Sequence, residues 1–131
     1  MMNYELNKPI SVNEIVELRN SVGWNGMKEC YNNVLMTSYF HIACYDGNML
    51  IGYIDVVSNG VTDAYIQDLI VNPKYQNKGI GTELMNKTIA YLKEKNIYAI
   101  SVLFEERLKE FYKKFGFNMM LAGQMETYKC D

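Results

Sequence analysis

One short segment constrains the fold of this chain more than any other. Gln76–Gly81, with the sequence Gln-Asn-Lys-Gly-Ile-Gly, lies between a strand-like run at Ala64–Val71 and a helix-like run that begins at Gly79. The first N–H groups of a helix have no partner within the helix and face the positive end of its dipole. Glycines let a ligand approach such a backbone closely, because they carry no Cβ. The segment therefore predicts a strand, a phosphate-binding turn and a helix in succession.

Size and composition are those of a globular domain. A chain of 131 residues suffices for one core but not for two, so residues 1–131 are predicted to form a single domain. Hydrophobic residues make up 49% and charged residues 21%, which excludes a bias towards disorder. The net charge of -2 provides no general attraction to nucleic acid or to an anionic membrane, so neither is expected as a partner.

The cysteines and the N-terminal residues indicate a cytoplasmic protein. Cys30, Cys44 and Cys130 are odd in number and lack a C-x-x-C spacing, so the sequence predicts neither a disulfide framework nor a metal site. Met1–Ile10 lacks the apolar stretch of a signal peptide, and no run approaches the length of a membrane span.

Hydrophobic periodicity predicts an α/β fold with a mixed, mainly antiparallel sheet of about seven strands flanked by four helices. The predicted strands are Met2–Leu6, Tyr39–Tyr45, Met49–Val57, Ala64–Val71, Ile97–Leu103, Phe117–Leu121 and Gln124–Lys129. The predicted helices run from a cap at Ser11 or Asn13 to Gly23, then over Gly26–Met36, Gly79–Asn96 and Glu105–Phe115. Because a helix separates the fourth strand from the fifth, these two are predicted to be parallel.

Two common nucleotide-binding motifs are incomplete at the glycine turn. A dinucleotide fingerprint needs a third small residue where Leu84 stands, and a P-loop needs Gly-Lys-Ser/Thr where the chain has Gly81-Thr82-Glu83. Both motifs are therefore disfavoured. A glycine-rich helix start without any ligand remains an alternative at this point.

The order of motifs resembles the GCN5-related N-acetyltransferase (GNAT) superfamily along nearly the whole chain. The glycine turn and its helix are followed by a strand and then by Phe111–Phe117, with the sequence Phe-Tyr-Lys-Lys-Phe-Gly-Phe. The resemblance implies that the turn binds the pyrophosphate of acetyl-coenzyme A (acetyl-CoA) through backbone amides, and that the strand before it binds the pantetheine arm in a wedge-shaped cleft. The implied cofactor-binding residues are Leu69, Ile70, Val71, Gln76, Asn77, Lys78, Gly79, Ile80, Gly81, Thr82 and Tyr112.

The resemblance also implies that Tyr112 is catalytic, because the matching tyrosine lies near the cofactor sulfur and can protonate the leaving thiolate. Taken alone, an aromatic residue at this position on an amphipathic helix is more typical of a core. Many relatives carry an asparagine seven residues before this tyrosine, where the present chain has Glu105.

Asp68 is the candidate general base, acting alone or through water. A carboxylate on the otherwise apolar strand segment Ile66–Val71 requires an explanation. The alternative is a structural role in which Asp68 accepts backbone hydrogen bonds at a bulge. Asp55 and Glu29 are reserve candidates, whereas His41, the only histidine, is more typical of a packed or exposed residue.

Trp24 and Tyr31 are the candidate acceptor-binding residues. The segment Leu18–Trp24 is similar to one in a bacterial subgroup of small acetyltransferases, at a place where relatives vary the wall of the acceptor site. Core packing is the alternative for both aromatic residues.

The predicted function is acetyl transfer from acetyl-CoA to a primary amine, carried by a small molecule or a protein. The main alternative is a non-catalytic acyl-CoA sensor or partner-binding domain on the same fold, and a nucleotide-binding protein is a second. The acidic balance slightly favours a cationic acceptor. An edge strand of the C-terminal hairpin offers a route to a homodimer.

Overall fold

Five strands form one sheet in the computed structural model, which describes residues 2–127. In chain order, and also in spatial order, the strands are β1 (Met2–Leu6), β2 (Phe40–Asp46), β3 (Met49–Ser58), β4 (Asp63–Val71) and β5 (Ala99–Val102). All neighbours are antiparallel except β4 and β5, which are parallel. The predicted crossover between these two strands is therefore confirmed.

Four α-helices flank the sheet: α1 (Val12–Ser21), α2 (Lys28–Tyr31), α3 (Ile80–Glu94) and α4 (Lys109–Lys113). Short 3₁₀ turns precede α3 at Pro73–Tyr75 and α4 at Glu106–Leu108. Helix α1 begins with a capping box in which Ser11 Oγ accepts from the Glu14 N–H and Glu14 Oε1 accepts from the Ser11 N–H, both at 3.2 Å.

The two faces of the sheet carry separate hydrophobic cores. Helix α3 packs against one face, where Leu84 and Met85 meet Ile54 and Ile66. Helix α1 packs against the other face, and its core members are Ile15, Leu18, Ala43, Tyr45, Leu50, Tyr53 and Ile70. After a register irregularity at Ile51, Tyr53 belongs to the second core and Ile54 and Val56 to the first, as the period of a strand requires.

The prediction of about seven strands is wrong for the described part of the chain, which contains five. Phe117–Leu121 forms no strand, and neither does the remainder of residues 117–127. Met120 and Leu121 are 87% and 105% exposed, so this segment has no sheet face on which to bury alternate side chains. The last predicted strand, Gln124–Lys129, extends beyond the described residues. The hairpin that was expected to offer a dimer edge is therefore not formed in residues 117–127.

The second helix is also much shorter than the predicted Gly26–Met36. Helix α2 has four residues, and Val34 and Leu35 beyond it are 90% and 83% exposed. The Asn33 side chain accepts a hydrogen bond from the Leu35 N–H at 2.9 Å, and such local bonds compete with helical ones. Apolar residues at helical spacing predicted a helix here that has no core to pack against.

An irregularity in β4 positions the candidate site. Asp55 pairs with Asp68 whereas Val56 pairs with Ile66, so Gln67 is the extra residue of a β-bulge. The pairing of β4 with β5 also ends at Ile66, opposite Val102. Since β5 itself ends at Val102, the edge of β4 that faces β5 has no strand partner from Gln67 to Val71, and this open edge is called the wedge below.

The structure also bears on the expectations about metals, cysteines and membranes. Within residues 2–127 there is no group of three or more histidine, cysteine, aspartate or glutamate residues able to hold a metal ion. Cys44 is a buried free thiol, whereas Cys30 is disulfide-bonded. No helix of this part of the chain combines the length and the hydropathy needed to cross a bilayer.

Candidate active site

The glycine turn leaves the first amides of α3 without a partner in the helix. Gly79 is the N-cap and has a left-handed backbone, with φ of +83°. The first helical bond runs from the Glu83 N–H to the Gly79 carbonyl at 3.0 Å, so the N–H groups of Ile80, Gly81 and Thr82 precede the helical ladder. No side chain caps this helix among the residues described. The resulting row of amides at the positive end of the helix dipole suits an anion such as a diphosphate.

The turn is fixed to the end of β4. Gln76 Nε2 donates to the Val71 carbonyl at 2.9 Å. A Cβ added to Gly79 would meet no atom within 4 Å, whereas one added to Gly81 would lie 3.6 Å from Phe111 Cζ and 3.8 Å from Val71 Cγ2. Space for a ligand therefore lies over Gly79, while Gly81 lies where α3 closely approaches β4 and α4.

Tyr112 is held by a cluster of aromatic rings on α4 and the loop before it. Its ring stacks on Phe104 at a centroid distance of 4.5 Å and meets Phe111 edge-on at 5.0 Å. The side chain is 6% exposed, and burial raises the pKa of the phenol to about 12. Its hydroxyl makes no hydrogen bond to the rest of the described chain, so Tyr112 Oη is a protonated donor with its bond unused. Glu105, in contrast, is exposed and pairs with Arg107 at 3.3 Å.

Asp68 forms a buried ion pair with Arg19. Arg19 Nη1 lies 3.1 Å from Asp68 Oδ2, and the Tyr31 hydroxyl donates to the same oxygen over a long 3.5 Å. Burial raises the pKa of Asp68, and the guanidinium of Arg19 opposes this shift. The alternative role of Asp68, in which its carboxylate accepts backbone hydrogen bonds at a bulge, is filled by a different residue, because Asp55 Oδ1 accepts from the Asp68 N–H at 3.0 Å.

Asp55 is the most deeply buried carboxylate of this cluster, at 4% exposure. Besides the Asp68 N–H, it accepts a hydrogen bond from the Tyr53 hydroxyl at 3.2 Å. Burial first, and then the charge of Asp68, raise the pKa of Asp55 to about 7. A proton therefore moves on or off this carboxyl near neutral pH.

Arg19 is held by contacts that also explain the position of Trp24. Its Nε donates to the Asn25 carbonyl at 2.7 Å, and its guanidinium lies 5.2 Å from the centre of the Trp24 ring. Trp24 is 38% exposed and covers the arginine from the solvent side. Arg19, which is 8% exposed, was not among the candidates from the sequence. The signal for it was its place four residues after Ile15, on the buried stripe of α1.

A pocket of about 430 Å³ lies beside this cluster, on the face of the sheet that carries α1 and α2. Tyr31 lines it, whereas Trp24 and Glu29 do not. The His41 ring stacks on Tyr53 at 5.7 Å, and its Nε2 lies 2.7 Å from the Lys8 carbonyl oxygen. The lining residues are Asn7, Ile10, Ile15, Tyr31, Met36, Thr37, Ser38, Tyr39, His41, Tyr53, Asp55 and Gln67.

Tyr53 and Asp55 stand out in the sequence of β3 as polar residues. Both are polar residues in a strand that is otherwise apolar from Leu50 to Val57, and they alternate so that they share one face. The same reasoning singled out Asp68 on the next strand. Two carboxylates on neighbouring apolar strands predict a buried polar cluster when they are considered together.

Comparison with curated proteins identifies a group of relatives. The chain is 31% identical to the "Uncharacterized N-acetyltransferase ycf52" of Pyropia yezoensis, over 85% of this chain and 67% of that protein. The ycf52 protein of Gracilaria tenuistipitata var. liui is 27% identical over 85% of this chain and 64% of its own length. The chain thus spans about two thirds of the length of these relatives. "Histone acetyltransferase TAP1" of Glycine max is 35% identical over 52% of this chain and 29% of that protein.

Solved structures share the fold. A probable acetyltransferase of methicillin-resistant Staphylococcus aureus superposes with a TM-score of 0.86 over 98% of this chain and 100% of that one, at 24% identity. A GNAT family acetyltransferase of Streptococcus pneumoniae has a TM-score of 0.78 over 98% and 99%, at 26% identity. An aminoglycoside acetyltransferase from a soil metagenome, solved with sisomicin, has a TM-score of 0.68 over 98% and 97%, at 16% identity. These likenesses confirm the predicted GNAT fold.

A family model corroborates the structural likeness over most of the chain. The model of the acetyltransferase (GNAT) family matches residues 14–117, which include the glycine turn, the wedge and Tyr112. The chain belongs to the GNAT family of acetyltransferases.

Proposed function

We propose that this protein is an N-acetyltransferase that moves an acetyl group from acetyl-CoA to a primary amine, with residues 1–131 acting as one domain. One observation carries the proposal: the uncapped amides at the start of α3 follow directly on the part of β4 whose edge towards β5 has no strand partner. An anion site next to an open strand edge suits a ligand with a diphosphate at one end and an amide-containing arm at the other.

The chain's backbone supplies the acetyl-CoA site. Residues from Gln76 to Thr82 would hold the diphosphate through their N–H groups, and the Thr82 hydroxyl would add one bond. Leu69, Ile70 and Val71 would pair with the pantetheine amides through the main chain. When bound, acetyl-CoA supplies an acetyl thioester whose carbonyl carbon accepts the amine. Support comes from the fit of these groups to the turn and from the end of β4–β5 pairing at Ile66.

Tyr112 donates a hydrogen bond and then a proton to the departing sulfur. Its raised pKa, about 12, keeps the phenol protonated throughout the physiological pH range, so it is always ready as a donor. The rings of Phe104 and Phe111 restrict its position, and such positioning is a main source of catalysis in reactions of this kind.

The adjacent carboxylates Asp68 and Asp55 take up the proton that the amine loses. An amine attacks only when it is neutral, so a proton acceptor must lie near it. Asp68 remains our candidate base, directly or through water, and Asp55 shares the task because its pKa of about 7 allows uptake near neutral pH. The guanidinium of Arg19 favours the charged form of Asp68 and opposes the burial that raises its pKa.

The location of the protein remains a prediction. We propose that it is cytoplasmic, while one curated relative, 34% identical over 52% of this chain, is named "GCN5-related N-acetyltransferase 2, chloroplastic" of Arabidopsis thaliana.

Two measurements test the proposed function. Calorimetry should show binding of acetyl-CoA that is tighter than binding of ATP or NAD, and a thiol reagent should report release of coenzyme A when a primary amine is added. Binding without release for any amine would favour the acyl-CoA sensor. Tighter binding of ATP or NAD would favour a nucleotide-binding protein.

A further inference from the structure

The pocket beside the polar cluster has an unusual balance of charge. Asp55 is the one aspartate, glutamate, lysine or arginine residue that lines it. Arg19 forms its ion pair with Asp68, does not line the pocket, and acts on Asp55 only through the last and smallest of the effects on its pKa. Within residues 2–127, Asp55 has hydrogen-bond donors but no ion-pair partner. The pocket therefore presents a buried carboxylate without a counter-ion.

The oxygens of Asp55 retain the capacity to bind a cation. Oδ1 accepts only from the Asp68 N–H and Oδ2 only from the Tyr53 hydroxyl among the described residues. A carboxylate has about four acceptor positions, so about two remain for a ligand. Burial and the charge of Asp68 raise the pKa of Asp55, and the charge of Arg19 opposes this shift only in part.

The walls around this carboxylate are aromatic and apolar. Three tyrosines line the pocket, and Ile10, Ile15 and Met36 supply aliphatic surface. The faces of tyrosine rings attract an ammonium group, and more strongly when water is excluded. The aromatic lining residues are Tyr31, Tyr39 and Tyr53.

We propose that this pocket binds the amine acceptor, with its ammonium group on Asp55 and its body against the tyrosines, and that the acceptor is a small primary monoamine with an aromatic or aliphatic body. The proposal rests on the proposed function and specifies its substrate class. A polyamine or an aminoglycoside carries further ammonium groups, and the pocket offers no second carboxylate to pair with them.

The pocket also touches the donor side of the cleft. Gln67 lines the pocket and is the bulged residue of β4, immediately after the last β4–β5 pair. Asp55 of β3 pairs with Asp68 of β4, the residue directly after Gln67, so an amine on Asp55 lies next to the point where β4 leaves β5. This continuity is the reason to assign the pocket to the acceptor.

Binding measured without acetyl-CoA tests the proposal. Calorimetry with 2-phenylethylamine, its neutral analogue 2-phenylethanol and spermidine should rank 2-phenylethylamine first by about tenfold or more over each of the others. Spermidine or the alcohol binding as tightly as 2-phenylethylamine would overturn the proposal, as would the absence of any binding.

Two variants locate the site. Asp55→Asn keeps the size of the side chain and should weaken 2-phenylethylamine binding about tenfold or more, whereas Asp63→Asn, an exposed control on β4, should leave it unchanged. Tyr39→Leu, which changes another lining residue of the pocket, replaces Asp55→Asn if that variant does not fold. It should weaken 2-phenylethylamine binding about threefold. Unchanged binding in folded Asp55→Asn, or in Tyr39→Leu where that variant is used instead, would overturn the proposal.

Failure here is distinguishable from failure of the proposed function. Binding of 2-phenylethylamine at Asp55 without any release of coenzyme A would contradict the enzyme and leave the ligand class intact. Acetylation of spermidine in preference to 2-phenylethylamine would support the enzyme and contradict the ligand class.

Discussion

The two sides of the cleft are built from different parts of the chain. On the proposed donor side, the groups that we expect to meet acetyl-CoA are backbone amides of one continuous segment, Gln76–Thr82, at a helix start. On the proposed acceptor side, they are largely buried side chains from separate elements, among them Arg19 of α1, Asp55 of β3 and Asp68 of β4. A site made of local backbone needs only a suitable turn, whereas a site made of distant side chains requires the whole fold.

The two sides also differ in their effect on stability. A glycine turn with exposed amides buries no charge. The acceptor side buries two carboxylates and one guanidinium, and desolvation of such groups is costly unless they are paired. Variants on the acceptor side should therefore change folding stability as well as amine binding, whereas variants on the donor side should change acetyl-CoA binding and rate with little effect on stability.

The largest effect is expected from Arg19→Met, which tests whether the acceptor side depends on its ion pair. Loss of the guanidinium leaves Asp68 buried without a cation, so the free energy of unfolding should fall by about 3 kcal/mol. Arg107→Met is the matched control, because that arginine makes an ion pair of similar length, 3.3 Å, at an exposed site. Its loss should cost less than about 1 kcal/mol. Equal losses in urea unfolding would contradict the distinction between the two sides.

Tyr112→Phe tests the chemistry of the donor side. The ring contacts remain while the proton donor is lost, so kcat should fall by about 100-fold with little change in acetyl-CoA affinity. Tyr98→Phe is the control, because Tyr98 is 90% exposed. An unchanged kcat in Tyr112→Phe would remove the tyrosine from the mechanism.

Gly79→Ala tests the backbone character of the acetyl-CoA site. A Cβ would enter the open space over the turn and strain a φ of +83°, so acetyl-CoA affinity should fall by about 30-fold, or 2 kcal/mol. Gly47→Ala carries a similar strain, at φ of +60° with open space, in the β2–β3 turn. Calorimetry should show a loss of acetyl-CoA affinity in Gly79→Ala but not in Gly47→Ala. An equal loss of affinity in both variants would mean that backbone strain in general, and not the open space over Gly79, causes it.

Asp55→Asn should give the smallest effect, and it should stabilise the protein. The folded-state pKa of Asp55, about 7, lies above its unfolded value, so the native state holds a proton that the unfolded chain releases between about pH 4 and pH 7. The free energy of unfolding therefore falls as pH rises through this interval, and the raised pKa of Asp68 acts in the same direction. At a pH of about 8, the free energy of unfolding of Asp55→Asn should exceed that of the wild type by about 1–2 kcal/mol. At a pH of about 4, the two free energies should not differ in this way. A variant less stable than the wild type at both pH values would contradict this account.

The same contrast explains how much could be predicted from the sequence. The glycine turn, the long helix after it and the parallel pairing of β4 with β5 follow from adjacent residues, and the structure agrees. The hairpin at Phe117–Leu121 and the long second helix were predicted from local periodicity too, but no core supports them. Helical or alternating spacing indicates what a segment can form, and packing decides whether it forms.

Side-chain clusters were harder to predict than the backbone site. Asp68 attracted attention as a charge on an apolar strand, yet its partner Arg19 lies 49 residues away in sequence. Asp55 was only a reserve candidate, because its position opposite Asp68, next to the bulge, depends on the register of β3 against β4. Contacts of this kind appear only once the sheet is assembled.

One kinetic experiment tests the division of the cleft most directly. Coenzyme A release is measured for Gly79→Ala and Asp55→Asn while acetyl-CoA and 2-phenylethylamine are varied in turn. We predict that Gly79→Ala raises KM for acetyl-CoA by about tenfold or more and leaves KM for the amine within about twofold, and that Asp55→Asn does the reverse. Two variants that raise both KM values alike, or an Asp55→Asn variant with an unchanged KM for the amine, would contradict the account.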